Sequence, residues 1–336
     1  MTTVDTARPA AGPTARRRFA PTGIWWLMWR QQRLLILIAL AAVVTAAVVF
    51  PILRAAMTGY IDSHHIAGCA AISLDPACQS DGVQRAVDDF RGRYAPILQG
   101  VGYLLLMLPA AAGVMVGGPL FSREYEQGTW RLVLGQSVSR TRWLAAKLAT
   151  VGAVALLGSA ALMGLYRWMW LPSADFVSGV AWCSSAFIVS GGPVLVATTL
   201  LALAVGATAG SVTRRVVPAM GITFGVVVLL QIALASVRPY LVPWQTRFGS
   251  RSELPNDVWS FGQGFLTPDG KRLPYDVCVD SDRYTSCLAG TDGAREYAEV
   301  HSAADYWPLQ GVESALCLVL TAALVVLLFR RDRRAD

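Results

Sequence analysis

The chain has 336 residues, 54% of them hydrophobic and only 15% charged, and its mean hydropathy of +0.46 excludes an ordinary soluble domain. Its formal net charge of +7 lies mostly beside apolar stretches, which makes it a topology signal and argues against nucleic acid as a partner. Six apolar runs are each long enough to cross a bilayer, since about 20 helical residues at about 1.5 Å each cover a hydrocarbon core of about 30 Å. Lipid offers no partner to a backbone N–H or C=O, so helices are the expected form of such runs.

In chain order, residues 1–22 are rich in Ala, Pro, Thr and Arg and read as a disordered cytoplasmic segment. The sequence ARRRFA within it loosely resembles a twin-arginine export signal, but the apolar run that follows is too long for a cleavable core, so a retained first helix is expected. Residues 23–33, GIWWLMWRQQR, place Trp25, Met28 and Trp29 on one helical face with Arg30 and Arg33 elsewhere, the pattern of an interfacial helix. A simple tryptophan belt at the start of the first span is the alternative.

The spans themselves are expected at Leu34–Leu53, Pro96–Leu120, Leu144–Tyr166, Ala181–Ala209, Val216–Val237 and Val312–Phe329. Five of them, with their connections, fill residues 34–237, and the sixth lies in 311–329 ahead of a cytoplasmic tail at 330–336. Gly191, Gly192 and Pro193 interrupt the fourth and invite a later start, with Phe176–Ser190 as a separate interfacial segment. Basic residues cluster before the first span, between the second and third, between the fourth and fifth (Arg214, Arg215) and after the sixth (Arg330, Arg331, Arg333, Arg334). One face receives all four clusters if every run crosses once. That face is the cytoplasm by the positive-inside rule, and both termini lie there. The opposite face receives long connections at 54–95 and 238–310 and a short one at 167–175.

Cys69 and Cys78 share the first long exterior loop, and Cys278 and Cys287 share the last. An oxidising exterior favours disulfides, and pairing within each loop is expected among the three pairings that four cysteines allow. Cys183 and Cys317 lie in or near spans, where a thiol is a small packing residue. A zinc site at His64, His65 and Cys69 is disfavoured by the spacing. The 238–310 loop carries Trp244, Trp259, Phe261, Tyr275, Tyr284, Tyr306 and Trp307 and is expected to fold as a small stapled cap.

The chemistry-bearing patterns are mostly those that are missing. No span contains a histidine or an aspartate, which removes intramembrane serine and aspartyl proteases, and H-E-x-x-H is absent. The charged residues Lys147 and Glu313 fall near span ends, where snorkelling or an interfacial position accounts for them. Gln231, within the fifth span, is expected to hydrogen-bond between helices. No G-x-x-x-x-G-K-[ST] occurs, so this chain is not expected to hydrolyse ATP, and no cofactor or metal site is assigned to it.

The segment 121–143, FSREYEQGTWRLVLGQSVSRTRW, is neither tether nor span. Ser122 is a candidate cap for a short turn that sets Glu124 and Glu126 at its positive end; Gly128 permits a bend, and Thr129 opens a second short helix carrying Trp130, Arg131, Leu132 and Val133. Gly135 ends that helix, and Ser139 caps the third span. A short helix lying across the membrane suits a groove on a cytoplasmic partner.

At these residues the chain resembles the permease subunit of a type-2 ABC transporter of the exporter class. That family's loop reads E-x-E-x-G-[TS], a leucine-rich turn, then P-V-S-R and a later lysine. Glu124, Glu126, Gly128, Thr129, Leu132, Val138, Ser139, Arg140 and Lys147 follow it in order. Gly206, Gly210, Arg214, Arg215, Pro218 and Ala219 resemble the family's junction between spans four and five. Ser137 stands where proline is frequent and Arg131 where an acidic or neutral residue is common. The resemblance covers most of the chain but not the long exterior loops.

What the resemblance implies is an all-α membrane protein of six helices, with an interfacial entry helix and a cytoplasmic coupling helix, in a bacterial cell membrane. It implies a partner: an ATP-binding subunit in two copies, holding ATP and magnesium, and a second permease, identical or related. Glu124, Glu126, Gly128, Thr129, Trp130, Arg131 and Leu132 would form the coupling site. Apart from the resemblance, the acidic pair has a purely structural reading, as a helix-start charge or as partners of Arg123 or Arg131. A non-transporting scaffold or sensor is the alternative function, and a secondary transporter is disfavoured by the lack of a mid-membrane carboxylate.

Overall fold

The computed structural model describes residues 24–69, 76–128, 139–177, 181–249, 258–276 and 295–333. It contains six helical segments long and apolar enough to cross a membrane: 31–63, 81–126, 141–173, 194–213, 216–240 and 303–331. The helix α1 (Ile24–Ser63) runs without interruption through both the expected interfacial stretch and the first span. One helix, with no turn at residue 33, therefore covers both stretches.

Span two is composite. Helix α2 (Asp81–Leu106) leads into α3 (Leu108–Ala112), a π-helical turn at Gly113–Gly117 and α4 (Pro119–Glu126). Helix α5 (Arg140–Trp170) returns, and Ser139 caps it by accepting a hydrogen bond from the Arg142 amide, as its sequence implies. Short helices α6 (Ala174–Val177) and α7 (Ser185–Ser190) precede α8 (Val194–Thr213), α9 (Val216–Val237) and α10 (Tyr306–Arg333). The break at Gly191–Pro193 is real, and the fourth span begins at Val194 rather than Ala181.

Helix α8 is the centre of the bundle. It packs against α10, α9, α5 and the π turn of span two, and most of its residues are buried. By contrast, Leu34, Leu37, Ile38, Ile52, Val217, Leu229 and Val319 stand exposed on α1, α9 and α10, an apolar surface suited to lipid. A close backbone crossing joins α8 to span two. A Cβ on Gly206 would lie 2.5 Å from the Gly113 carbonyl oxygen and 2.7 Å from the Gly117 carbonyl carbon, so only glycine permits this backbone approach. Gly210 meets the Gly118 oxygen in the same way. A Cβ on Gly152 would meet nothing within 4 Å, and one on Gly158 would meet Ala39 at an ordinary 3.9 Å.

The 54–95 connection is far more helical than its charge content implies. α1 continues past Arg54 to Ser63 and α2 starts at Asp81. The reason is amphipathicity: Ala86, Val87, Phe90, Tyr94 and Leu98 are buried along one face of α2, at helical spacing. The opposite face carries Arg85, Asp88, Asp89 and Arg91, charges that end an apolar run in the sequence without ending the helix. Phe90 lies 4.9 Å from Tyr94 and 5.0 Å from Phe176, ring centre to ring centre, tying this hairpin to the α6 segment. Cys69 and Cys78 are bonded with Cα atoms 5.5 Å apart, both buried. Cys278 and Cys287 lie outside the described residues.

The 238–310 connection corrects the all-α expectation. It holds a four-stranded antiparallel sheet in the order β1-β4-β2-β3, formed by β1 (Gln245–Phe248), β2 (Trp259–Leu266), β3 (Arg272–Pro274) and β4 (Arg295–His301). Val258, Ala298 and Val300 form a small core on one side. His301 is fully buried, stacked on Phe261 at 5.2 Å and hydrogen-bonded through Nε2 to the Pro239 carbonyl at 2.8 Å. Short alternating strands within a long connection were hidden among its many turn-forming residues. The sheet stands at the end of the bundle away from Arg214 and Arg215, called the cap end below.

Candidate functional site

At the arginine-rich end, α4 delivers the two acidic residues of the E-x-E-x-G motif. Ser122 does not cap a new turn. It lies inside α4, and its hydroxyl donates to the Gly118 carbonyl at 2.8 Å, because span two continues as one helix to Glu126. Glu124 and Glu126 therefore sit at the C-terminal, electronegative end of that helix, which makes their other contacts the reason they are held there.

Glu124 accepts a 2.5 Å hydrogen bond from the Lys147 ammonium, which also donates to the Leu120 carbonyl at 2.8 Å. Lys147 is buried and lies over the Trp143 and Phe121 rings, 5.0 and 5.6 Å from their centres, in favourable cation–π range. Span-end snorkelling is thus not its role: it links α5 to the end of span two. Glu124 Oε2 is buried with no hydrogen-bond partner among the described residues.

Glu126 does something different. Its Oε2 accepts the Val216 amide at 3.0 Å, capping the first turn of α9 from another span. The need is local: Arg215, the residue at the N-cap, makes no side-chain cap, and the first amides of a helix lack internal partners. Arg214, in a left-handed conformation at φ 56° that closes α8, holds its guanidinium 5.6 Å from the Tyr125 ring centre. Gly128, at φ +71°, then turns the chain off the helix, as glycine readily does.

Spans two, three and five are therefore laced together at the point where the 129–138 segment leaves. Among the described residues the partners of the acidic pair are Lys147 and the Val216 amide rather than Arg123; Arg131 lies outside them. Thr129, Trp130, Arg131 and Leu132, expected on the coupling helix, lie outside the described residues. Lys147 was visible in the sequence as a lone basic residue in an apolar helix. Nothing in the one-dimensional pattern marked Gln32, Tyr125 or the Val216 amide.

At the cap end a second buried ion pair joins span five to span six. Arg238 donates through Nε and Nη2 to both oxygens of Glu313, each at 2.7 Å. Glu313 is buried there, not snorkelling. Gln231 donates to the Leu106 carbonyl at 3.2 Å, the interhelical role read from its sequence position. Arg167 donates to the Gly191 carbonyl and the Tyr306 hydroxyl, both at 3.2 Å. Burial pushes the Cys183 thiol, in the segment before α7, up to about 12; it stays protonated and inert near neutral pH.

Six lipid-length helices, laced at one end and roofed by a sheet at the other, define a multi-pass membrane protein. The family model described as ABC-2 membrane transporter related matches residues 39–238, more than half of the chain, and the protein belongs to that family: it is a membrane permease of the ABC transporter type. No curated protein and no solved structure matches the chain.

Proposed function

We propose that the chain is the membrane-spanning half of an ATP-driven exporter in a bacterial cell membrane, working as a dimer with an identical or related permease and powered by two copies of a separate ATP-binding subunit that holds ATP and magnesium. The arginine-rich end is the cytoplasmic one, and the coupling helix lies within 129–134. The observation that carries this reading is the lacing at Glu124 and Glu126. Any displacement of the segment that follows Gly128 is passed through two short polar contacts to α5 and to the start of α9. Such a joint converts a local push into concerted movement of three spans, as a bistable packed element requires. ATP-driven closure of the partner would supply the push, and alternating access between the two permeases would move the cargo. The sheet at 238–310 shields the exit.

The test is reconstitution with the partner ATPase. Replacing Trp130 and Leu132 by Glu is expected to abolish ATP-dependent transport while six-span insertion, read by labelling of single cysteines, is unchanged. Full transport in that variant would remove the coupling role. Cargo movement in vesicles without any nucleotide-hydrolysing partner would remove the reading altogether.

A further inference from the structure

The least satisfied polar cluster at the arginine-rich end lies in a cleft of about 560 Å³ between α1, span two and α5. Leu34, Leu35 and Ile38 of α1 face Met115, Val116 and Leu120 of span two across it. Leu34 and Met115 are 68% and 64% exposed, so the cleft opens sideways onto the surface that contacts lipid. Its polar head is built from Gln32, Arg123, Glu124 and Lys147. Gln32 is 7% exposed, and neither its amide oxygen nor its amide nitrogen has a hydrogen-bond partner among the described residues. Glu124 Oε2 is in the same condition. Leaving a buried amide and a carboxylate oxygen unpaired is unfavourable, and unpaired groups converging on one cleft call for a ligand that completes them.

We propose that this cleft binds an amphiphile whose headgroup carries an N–H-bearing ammonium beside an acceptor oxygen, with its chain along the apolar walls. The donor demand comes from Gln32 Oε1 and Glu124 Oε2, two acceptors without donors among the described residues. Lys147 already satisfies the other Glu124 oxygen, so a second cation is accommodated only by the free one. The acceptor demand comes from Gln32 Nε2 and the exposed Arg123 at the mouth, which suit a phosphate or ester oxygen. A primary ammonium offers three N–H groups, whereas a quaternary ammonium offers none and leaves both acceptors unpaired. Two sources share this chemistry: an aminophospholipid of the adjacent leaflet, and a free single-chain amine amphiphile. Because Glu124 is shared with the joint to α5, an occupant of the cleft is felt at the coupling end of the molecule.

The full chain, assembled in nanodiscs of equal parts phosphatidylethanolamine, phosphatidylcholine and phosphatidylglycerol and released for native mass spectrometry, tests the proposal with no ATPase present. Phosphatidylethanolamine is expected to be retained over each of the others by about tenfold, the size of one charge-assisted hydrogen bond. Gln32→Leu and Glu124→Gln are each expected to bring that ratio close to one. Equal retention of the three lipids, or a preference that survives Gln32→Leu, overturns the proposal. Should Glu124→Gln fail to assemble through loss of its Lys147 contact, Gln32→Leu, which removes no hydrogen bond among the described residues, decides the matter alone. Displacement of the retained lipid by a dodecyl phosphoethanolamine but not by a dodecyl phosphocholine assigns the site to free amphiphiles; amine preference without displacement assigns it to a resident lipid. Since this measurement involves no nucleotide and no partner, its failure leaves the permease reading standing, and failure to copurify an ATPase leaves the cleft standing.

Discussion

The two ends of the bundle each bury an ion pair, and they treat it in opposite ways. At the cap end Arg238 meets both oxygens of Glu313 in a fork geometry, and neither carboxylate oxygen is left over. At the arginine-rich end Lys147 meets one oxygen of Glu124 and a backbone carbonyl, while the second oxygen has no hydrogen-bond partner among the described residues. A planar guanidinium matches a carboxylate bidentately, and an ammonium cannot. The first arrangement is a rivet that holds spans five and six in one relation. The second is a joint with unused bonding capacity, placed where the chain leaves for the segment read as the coupling helix. The contrast predicts rigidity at the cap end and the capacity to respond at the other.

The largest effect is expected on breaking the rivet. Glu313→Ala leaves the Arg238 guanidinium buried without its partner, a change that destabilises by about 3–5 kcal/mol when a buried pair loses one member. Thermal unfolding in mild detergent should therefore shift strongly downward. Replacing both residues, with Arg238→Met and Glu313→Leu, should recover most of the loss, because the apolar pair carries no uncompensated charge. If the single variant unfolds with the parent protein, the pair is not a rivet and the contrast between the ends collapses.

A smaller effect, also at the cap end, is expected from the Cys69–Cys78 bond. It closes a loop spanning a sequence separation of 9, and loop-closure entropy for that length amounts to about 2–3 kcal/mol. Reduction, or Cys69→Ser with Cys78→Ser, should loosen the α1–α2 hairpin and raise amide exchange in 60–90 while leaving the Lys147 end unchanged. Exchange rising equally at both ends would show that the two ends are mechanically one unit.

How much of this was legible in the sequence follows the same division. Span number and rough position were readable because lipid exposure and length leave a one-dimensional trace, and six helices of that kind are present. The Gly191–Pro193 break, the Ser139 cap and the Gln231 contact were readable because each depends on neighbours or on a single polar residue in an apolar run. The amphipathic extension of α2 was missed because its charged face ends a hydropathy run without ending a helix, and the sheet was missed because its strands are short and pair across a wide separation, β1 with β4. Within the site, the motif marked Glu124, Glu126 and Lys147 but not which of them pair, and it carried no trace of the Val216 amide. Lys147 is 23 residues from Glu124, and the Val216 amide is 90 residues from Glu126 and has no side-chain signature.

The smallest stability effect and the sharpest functional one belong together at Glu126. Its carboxylate is exposed and caps one amide, a contact worth about 1 kcal/mol or less. Glu126→Gln keeps an acceptor oxygen and should scarcely alter folding, whereas Glu126→Ala removes the cap and should lower stability by that small amount. If the cap is also the tie between the segment after Gly128 and α9, Glu126→Ala must reduce ATP-driven transport far more than its stability loss accounts for, while Glu126→Gln retains most of it. Transport that falls only in proportion to folded protein would reduce Glu126 to an ordinary helix cap and leave Glu124–Lys147 as the sole joint. The comparison is therefore decided by the ratio of the two readouts: a joint couples a weak contact to a large displacement, and a rivet does not.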